Sequence, residues 1–91
     1  MKTVWKFPIP LEDFVTVEMP MRSKVLSVAE QNGQLCLWAL VDPMQKKHPR
    51  SFRIAGTGHP IDTEDCGVSL VGTVITAGGA LVWHVFEVVP F

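Results

Sequence analysis

Two stretches of this chain are apolar on both of their alternating faces, residues 35–42 (LCLWALVD) and 81–89 (LVWHVFEVV). A strand at the surface of a small sandwich alternates apolar and polar residues, because one face meets the core and the other meets water. The chain has only 91 residues, and so short a chain has little other structure with which to cover both faces of two strands. We therefore expect part of this surface to contact another copy of the chain or a partner.

Composition supports one domain spanning residues 1–91 and a covered surface. Charged residues make up 19% of the chain and hydrophobic residues 47%, whereas typical soluble domains carry about 25% charged residues. The net charge of −1 provides no field that would draw the chain to nucleic acid or to an acidic membrane. No apolar run approaches the roughly 18 residues of a spanning helix, and the first residues do not resemble a signal peptide. We expect a cytoplasmic protein.

Strand patterns dominate the rest of the sequence, and no stretch keeps a 3.6-residue apolar period. Asn32-Gly33 predicts a two-residue hairpin turn and Gly78-Gly79 a second turn, since these residues tolerate positive φ. Residues 44–49 and 58–67 are predicted as a basic and an acidic loop. In the third strand, Leu26 and Val28 are expected to face inward. The predicted strands are 3–7, 14–19, 24–31, 35–42, 51–57, 69–76 and 80–89.

About seven short strands with turns every 8 to 12 residues predict one small antiparallel β-sandwich or barrel. The fold class is therefore all-β.

The most concentrated polar feature is the segment Gly56-Thr57-Gly58-His59-Pro60, which follows Arg50 and Arg53. Its glycines would let the backbone approach a ligand, and Thr57, His59 and the two arginines would supply donors to an anion. The plainer interpretation is a strand that ends in a glycine-permitted turn. A phosphate-binding glycine loop opens a helix, and no helical pattern follows here.

His84 lies between Trp83 and Val85 in the apolar stretch 81–89. One interpretation is a buried neutral histidine bonded to a carbonyl or an acid. The other places His84 and Trp83 in a ligand pocket, although neighbouring residues of a regular strand point to opposite faces. Either way a polar group in such a strand needs a hydrogen-bond partner.

Catalysis and metal binding are poorly supported. Cys66 and His59 could be paired as nucleophile and base, but the acidic loop between them disfavours a thiolate. The histidines and the two cysteines have no spacing typical of a metal site. We therefore expect a protein that is not an enzyme and that has no cofactor, no metal and reduced thiols.

Segments 37–43 (LWALVDP), 56–61 (GTGHPI) and 78–87 (GGALVWHVFE), with the opening VWKFPI, resemble a family of small proteins encoded by phages and prophages. The resemblance spans nearly the whole chain. It implies a compact all-β accessory protein made during infection, and hence the cytoplasm of the host cell. It implies no catalytic chemistry.

The leading hypothesis is a non-enzymatic homo-oligomer that binds a small anionic, nucleotide-type ligand and so counters a host defence. The residues expected to contact that ligand are Arg50, Arg53, Thr57, His59, Trp83 and His84. Two alternatives remain open at this point. One is an inhibitor that binds a host enzyme directly, and the other is a structural or assembly accessory protein of the phage particle.

Overall fold

A computed structural model describes residues 1–61 and 66–90 and confirms the all-β prediction, with seven strands in two antiparallel sheets. A single turn of 3₁₀ helix, Ala77–Gly79, joins the last two strands. The strands are β1 Thr3–Ile9, β2 Phe14–Pro20, β3 Lys24–Gln31, β4 Gln34–Val41, β5 Lys47–Gly56, β6 Cys66–Thr76 and β7 Leu81–Pro90.

The two sheets pack face to face as a flat sandwich. One sheet has the order β1-β4-β3, and the other has the order β2-β5-β7-β6. The Cα atoms extend over 40 × 34 × 16 Å, so each sheet presents a broad outer face. At one side β3 packs closely on β6, where a Cβ placed on Gly72 would lie 3.0 Å from Val28 Cγ1.

The core lies between the sheets and is built from the inward rows of the central strands. Leu37 of β4, Phe52 of β5 and Val85 of β7 are fully buried there. The edge strands add Ile9, Met19 and Val74 to this core. Burying a large apolar side chain contributes about 1.5–3 kcal/mol, and the central strands carry several such side chains. They also hold the ends of β5 and β7 in a fixed relation to each other.

The two strands with apolar residues on both faces have different surroundings. On the outer face of β4, Cys36 is buried, and Lys6 of β1 donates to Gln31 Oε1 of β3 across β4 at 2.9 Å. Trp38 and Leu40 on the same face are half-buried, so the chain covers this face of β4 in part. Along β7 the outward residues are likewise half-buried, and the neighbouring strand β6 adds Leu70 and Ile75, which are more than 60% exposed, so the more exposed apolar face lies on this sheet.

Both predicted turns are confirmed. Gln31 pairs with Gln34, and the two residues between them, Asn32 and Gly33, have φ values of 52° and 80°. Positive φ at both positions defines the turn that matches the right-handed twist of the strands. At the second turn Gly78 and Gly79 have φ values of 65° and 97°.

The predicted inward row of β3 is confirmed at Val28 and wrong at Leu26. A bulge between Val25 and Ser27 shifts the register, so that Val25 and Val28 pack on the core while Leu26 is 46% exposed. An extra residue in one strand reverses the faces that follow it.

The predicted loops are also shorter than expected. Lys47 to Pro49 belong to β5, where they pair with β2 alone, because β7 pairs with β5 only from Ser51 onward. Pro49 is tolerated there because one side of the strand needs no ladder donor. At the other loop, β6 already begins at Cys66, and residues 62–65 of the predicted acidic loop lie outside the described residues.

Candidate functional site

Two adjoining clefts open where β5 ends and β7 begins, and His59 and Trp83 line both of them. Cleft A has a volume of about 370 Å³, and cleft B has a volume of about 260 Å³. His59 therefore stands between two recesses that share the Trp83 side chain. Cleft A is lined by Gly56, Thr57, His59, Ala80, Leu81, Val82 and Trp83, and cleft B by Leu11, Glu12, Asp13, Ile54, His59 and Trp83.

The segment Gly56 to Pro60 forms a tight turn that carries His59 into this position. The His59 backbone N–H donates to the Gly56 carbonyl oxygen at 3.0 Å, and Gly58 has φ of 86°. Only glycine adopts that φ without cost. The interpretation of this segment as a glycine-permitted turn after a strand is confirmed, and the same turn lines both clefts.

Arg53 fixes the turn from outside. Its guanidinium donates to the carbonyl oxygens of Asp13 and Pro60 at 3.3 and 3.2 Å, and also to that of Ile54. The Asp13 carboxylate lies 3.5 Å from the same group. Arg53 thus ties the β1–β2 connection to the segment after β5, and most of its donors are already engaged.

Gly56 provides the surface on which the His59 ring rests. A Cβ added to Gly56 would lie 2.9 Å from His59 Cε1 and 3.0 Å from His59 Nδ1. Such distances are shorter than carbon contacts allow, so the ring keeps its place only while residue 56 has no side chain.

We expect Gly56→Ala to displace the His59 ring while changing the free energy of unfolding by less than about 1 kcal/mol, because an exposed side chain moves at low cost. The matched control is Gly58→Ala, where no atom lies within 4 Å of the added Cβ and only the positive φ penalises alanine. NMR of the histidine ring and the tryptophan indole protons tests this. Unchanged His59 resonances in Gly56→Ala would contradict the prediction.

Trp83 belongs to both the core and the clefts. It pairs with Gly56 across β5 and β7 and packs against the core cluster. Its Nε1–H donates to Thr76 Oγ1 at 3.1 Å. The indole is thereby fixed in orientation, with its polar edge satisfied within the chain.

His84 points to the opposite face of β7, as strand alternation predicts. Its Nε2 lies 2.7 Å from Thr57 Oγ1, and its Nδ1 lies 3.1 Å from Thr73 Oγ1. The expected hydrogen-bond partners are therefore present, but they are threonine hydroxyls instead of a carbonyl or an acid. Thr57 joins His84 to cleft A, although Trp83 and His84 do not share a pocket.

Arg50 lies apart from the other predicted site residues. Seven residues of extended chain, about 23 Å at 3.3 Å per residue, separate it from Thr57. Its guanidinium forms a bidentate ion pair with Glu87, with Nη2 2.8 Å from Oε1, and also donates to the Ser23 carbonyl oxygen at 2.7 Å. Arg50 lines a separate recess of about 420 Å³ next to His48.

The sequence interpretation missed the acidic side of the site. Glu12 and Asp13 line cleft B, because the connection between β1 and β2 crosses from one sheet to the other beside the end of β5. Nothing in the local sequence predicts that approach. Cleft A has no carboxylate among its lining residues, so the electrostatics favour an anionic group in cleft A over cleft B.

A few general features bear on what the site can hold. Within residues 1–61 and 66–90, no three histidine, cysteine, aspartate or glutamate residues gather as metal ligands. The same part of the chain has no helix that is long and apolar enough to cross a membrane. Cys36 is a free, buried thiol.

Sequence comparison places the chain in a family over its entire length. The match covers residues 1–91, and the family is described as a domain of unknown function, DUF7352. The chain belongs to this family. No curated protein and no solved structure gives a significant match.

Proposed function

We propose that this protein is a non-enzymatic phage accessory protein, acting as a homo-oligomer, that binds a small anionic ligand of the nucleotide type. The observation that carries the proposal is the position of His59 and Trp83, which line both clefts at the end of β5 and β7. Two aromatic rings beside a glycine turn suit a flat heterocyclic base, since stacking on an aromatic ring is tolerant of base identity.

The ligand's anionic group would lie in cleft A. Its donors would be Thr57 and His59, whereas cleft B presents Glu12 and Asp13, which repel a negative charge. Arg53 would act by holding the turn in place. Arg50, which is bonded to Glu87 and to the Ser23 carbonyl oxygen, would stabilise the fold and would not contact the ligand.

The size of the clefts suits a small ligand that stays partly exposed to solvent within one chain. Pockets for small molecules are usually about 300–1,000 Å³ and bury most of the ligand. Cleft A is near the lower end of that range and cleft B is below it. Either cleft alone would therefore leave part of a nucleotide-type ligand exposed, and a ligand that spans both clefts would be buried more fully.

The proposed biological role follows from the resemblance to phage-encoded proteins. Binding without turnover lowers the free concentration of a nucleotide-type signal. A small protein made in the host cytoplasm during infection would counter a host defence in this way. Such a role requires affinity and abundance, and it requires no reacting group in the site.

A thermal-shift experiment with mononucleotides, dinucleotides and their cyclic forms tests the proposal. A ligand at 100 times its Kd stabilises the folded state by about 2.7 kcal/mol. For a domain of this size that raises Tm by about 10 °C or more. A panel in which no compound raises Tm would count against ligand binding.

The matched control compares two histidines. His59→Ala removes a ring that lines both clefts, and we expect the ligand-induced shift to disappear. His48→Ala alters the separate recess beside Arg50, and we expect the shift to persist there. Equal shifts in both variants would place the ligand elsewhere on the chain.

A second candidate function is the direct inhibition of a host enzyme. The apolar outer face of β6 and β7, where Leu70 and Ile75 are 61% and 62% exposed, favours it, since exposed apolar patches often mark protein contacts. Tagged protein should then recover one host enzyme from lysate in stoichiometric amount. Recovery of the tagged chain alone would exclude this candidate.

A further inference from the structure

The outer face of β6 and β7 forms an apolar strip without a charged side chain among its described residues. Across the two strands Val68 pairs with Val88, Leu70 with Phe86 and Ile75 with Val82. Leu70 and Ile75 are more than 60% exposed. Monomeric proteins rarely expose continuous apolar patches larger than a few hundred Å². We therefore expect another protein surface to cover this face.

The polar residues within the strip already have their hydrogen bonds inside the chain. Both ring nitrogens of His84 contact threonine hydroxyls, one from Thr57 and one from Thr73. On a face exposed to solvent, water molecules would form the hydrogen bonds of the histidine ring and the threonine hydroxyls. Internal pairing removes the cost of taking them out of water, so the strip is ready to be buried.

β6 differs from the other edge strands in its lack of charged residues. The other edge strands carry charged residues that discourage pairing with another chain: Lys6 in β1, Glu18 in β2, and Lys24 and Glu30 in β3. β6 has neither a charge nor a proline in its eleven residues. Natural sheets place charged residues and prolines on their edge strands to discourage pairing with other chains. Their absence from β6 indicates that a contact with another chain is tolerated here.

A bulge in β6 affects how a second chain can bind at this side of the sandwich. The register of β6 shifts between Leu70 and Gly72, which breaks the regular ladder that a strand added at the edge would need. Packing on the face is therefore favoured over extension of the sheet.

The size of the face matches what a stable pair of subunits needs. At about 3.3 Å per residue and 4.8 Å between strands, four strands of about ten residues cover roughly 600 Å² in projection. A standard interface buries about 800 Å² of accessible surface on each partner. The β6–β7 strip would form its apolar centre, and the β2–β5 half, with Glu18 and Arg53, its polar rim.

We propose that a second copy of this chain packs face to face on the four-stranded sheet, around a twofold axis centred on β6 and β7. A twofold axis brings each patch against itself. A strip without charges can therefore dock on its copy without repulsion. This inference rests on the proposed homo-oligomer and identifies the surface that forms it.

The test is the mass in solution, by native mass spectrometry and light scattering, of the wild type and two variants. We expect the wild type at twice the chain mass of 10.1 kDa. Leu70→Asp should raise the dimer dissociation constant at least about 100-fold, because it buries an unpaired carboxylate. The matched control is Leu26→Asp on the opposite sheet, where Leu26 is 46% exposed, and it should remain dimeric.

A wild type that stays monomeric at 100 μM (roughly 100-fold above a tight dimer's Kd) would overturn the proposal. So would a dimer that persists in Leu70→Asp, or one that dissociates only in Leu26→Asp. Circular dichroism verifies the fold, and Ile75→Asp serves as a second variant of the same face. A dimeric wild type that no nucleotide stabilises would refute the ligand while leaving this interface supported.

Discussion

Replacing Glu87 with alanine should lower the free energy of unfolding by about 3 kcal/mol, because it leaves the Arg50 guanidinium without its counter-charge. The two side chains are 17% and 18% exposed and meet in a bidentate pair. Arg50 keeps only the Ser23 carbonyl oxygen at 2.7 Å after the substitution. Urea unfolding at a fixed protein concentration measures the change through a lower midpoint at an unchanged slope.

The ion pair between Asp13 and Arg53 offers a matched control. The Asp13 side chain is 84% exposed where it meets Arg53, so Asp13→Ala should cost less than about 1 kcal/mol. Replacing Arg50 and Glu87 together by methionine should be less damaging than Glu87→Ala, since no buried charge is then left alone. Equal losses for Glu87→Ala and Asp13→Ala would contradict the prediction.

The same variants separate a structural Arg50 from a ligand-binding one. If Arg50 served the ligand, freeing it from Glu87 would increase the nucleotide-induced thermal shift. We expect that shift to stay the same in Glu87→Ala, because Arg50 and cleft A lie at different ends of β5.

The strands and their hairpins could be predicted because the signals are local. Asn32 and Gly33 specify a turn by their own tolerance of positive φ, and alternation over a few residues specifies a strand. The separation of Trp83 from His84 also follows from alternation alone. Features of this kind need no knowledge of which strands become neighbours.

Strand alternation alone separates Arg50 from Arg53. Residues three apart in a strand face opposite sides. Arg50 accordingly pairs with Glu87, while Arg53 lies over the exposed Phe14 ring at 5.1 Å. Their closeness in sequence therefore did not indicate a shared site.

Other features depend on pairing between distant segments and could not be predicted from the sequence. The partner of Arg50 is 37 residues away, and it is reached only once the register of β5 and β7 is known. The bulge that exposes Leu26 depends on how β3 meets β4. Glu12 and Asp13 enter cleft B only because the β1–β2 connection passes that end of the sandwich.

Phe52→Ala should lower the free energy of unfolding by about 3–5 kcal/mol, at least as much as Glu87→Ala. Phe52 is fully buried at the centre of the four-stranded sheet, where it pairs with Val15 on one side and with Glu87 on the other. Its removal leaves a cavity that the flanking strands cannot close without disturbing the core. Domains of this size are stable by about 5–15 kcal/mol, so the variant should unfold at a much lower urea concentration.

Phe14→Ala is the matched control, because Phe14 lies one residue away in the register of β2 and β5 but on the outer face. Its ring is 67% exposed and contacts the Arg53 guanidinium, an interaction worth about 0.5–1 kcal/mol at such a site. Its loss should therefore be under about 1 kcal/mol. An equal cost for Phe14→Ala and Phe52→Ala at the same protein concentration would mean that Phe14 is buried in the dimer. The apolar centre of the twofold contact would then have to include β2 as well as β6 and β7.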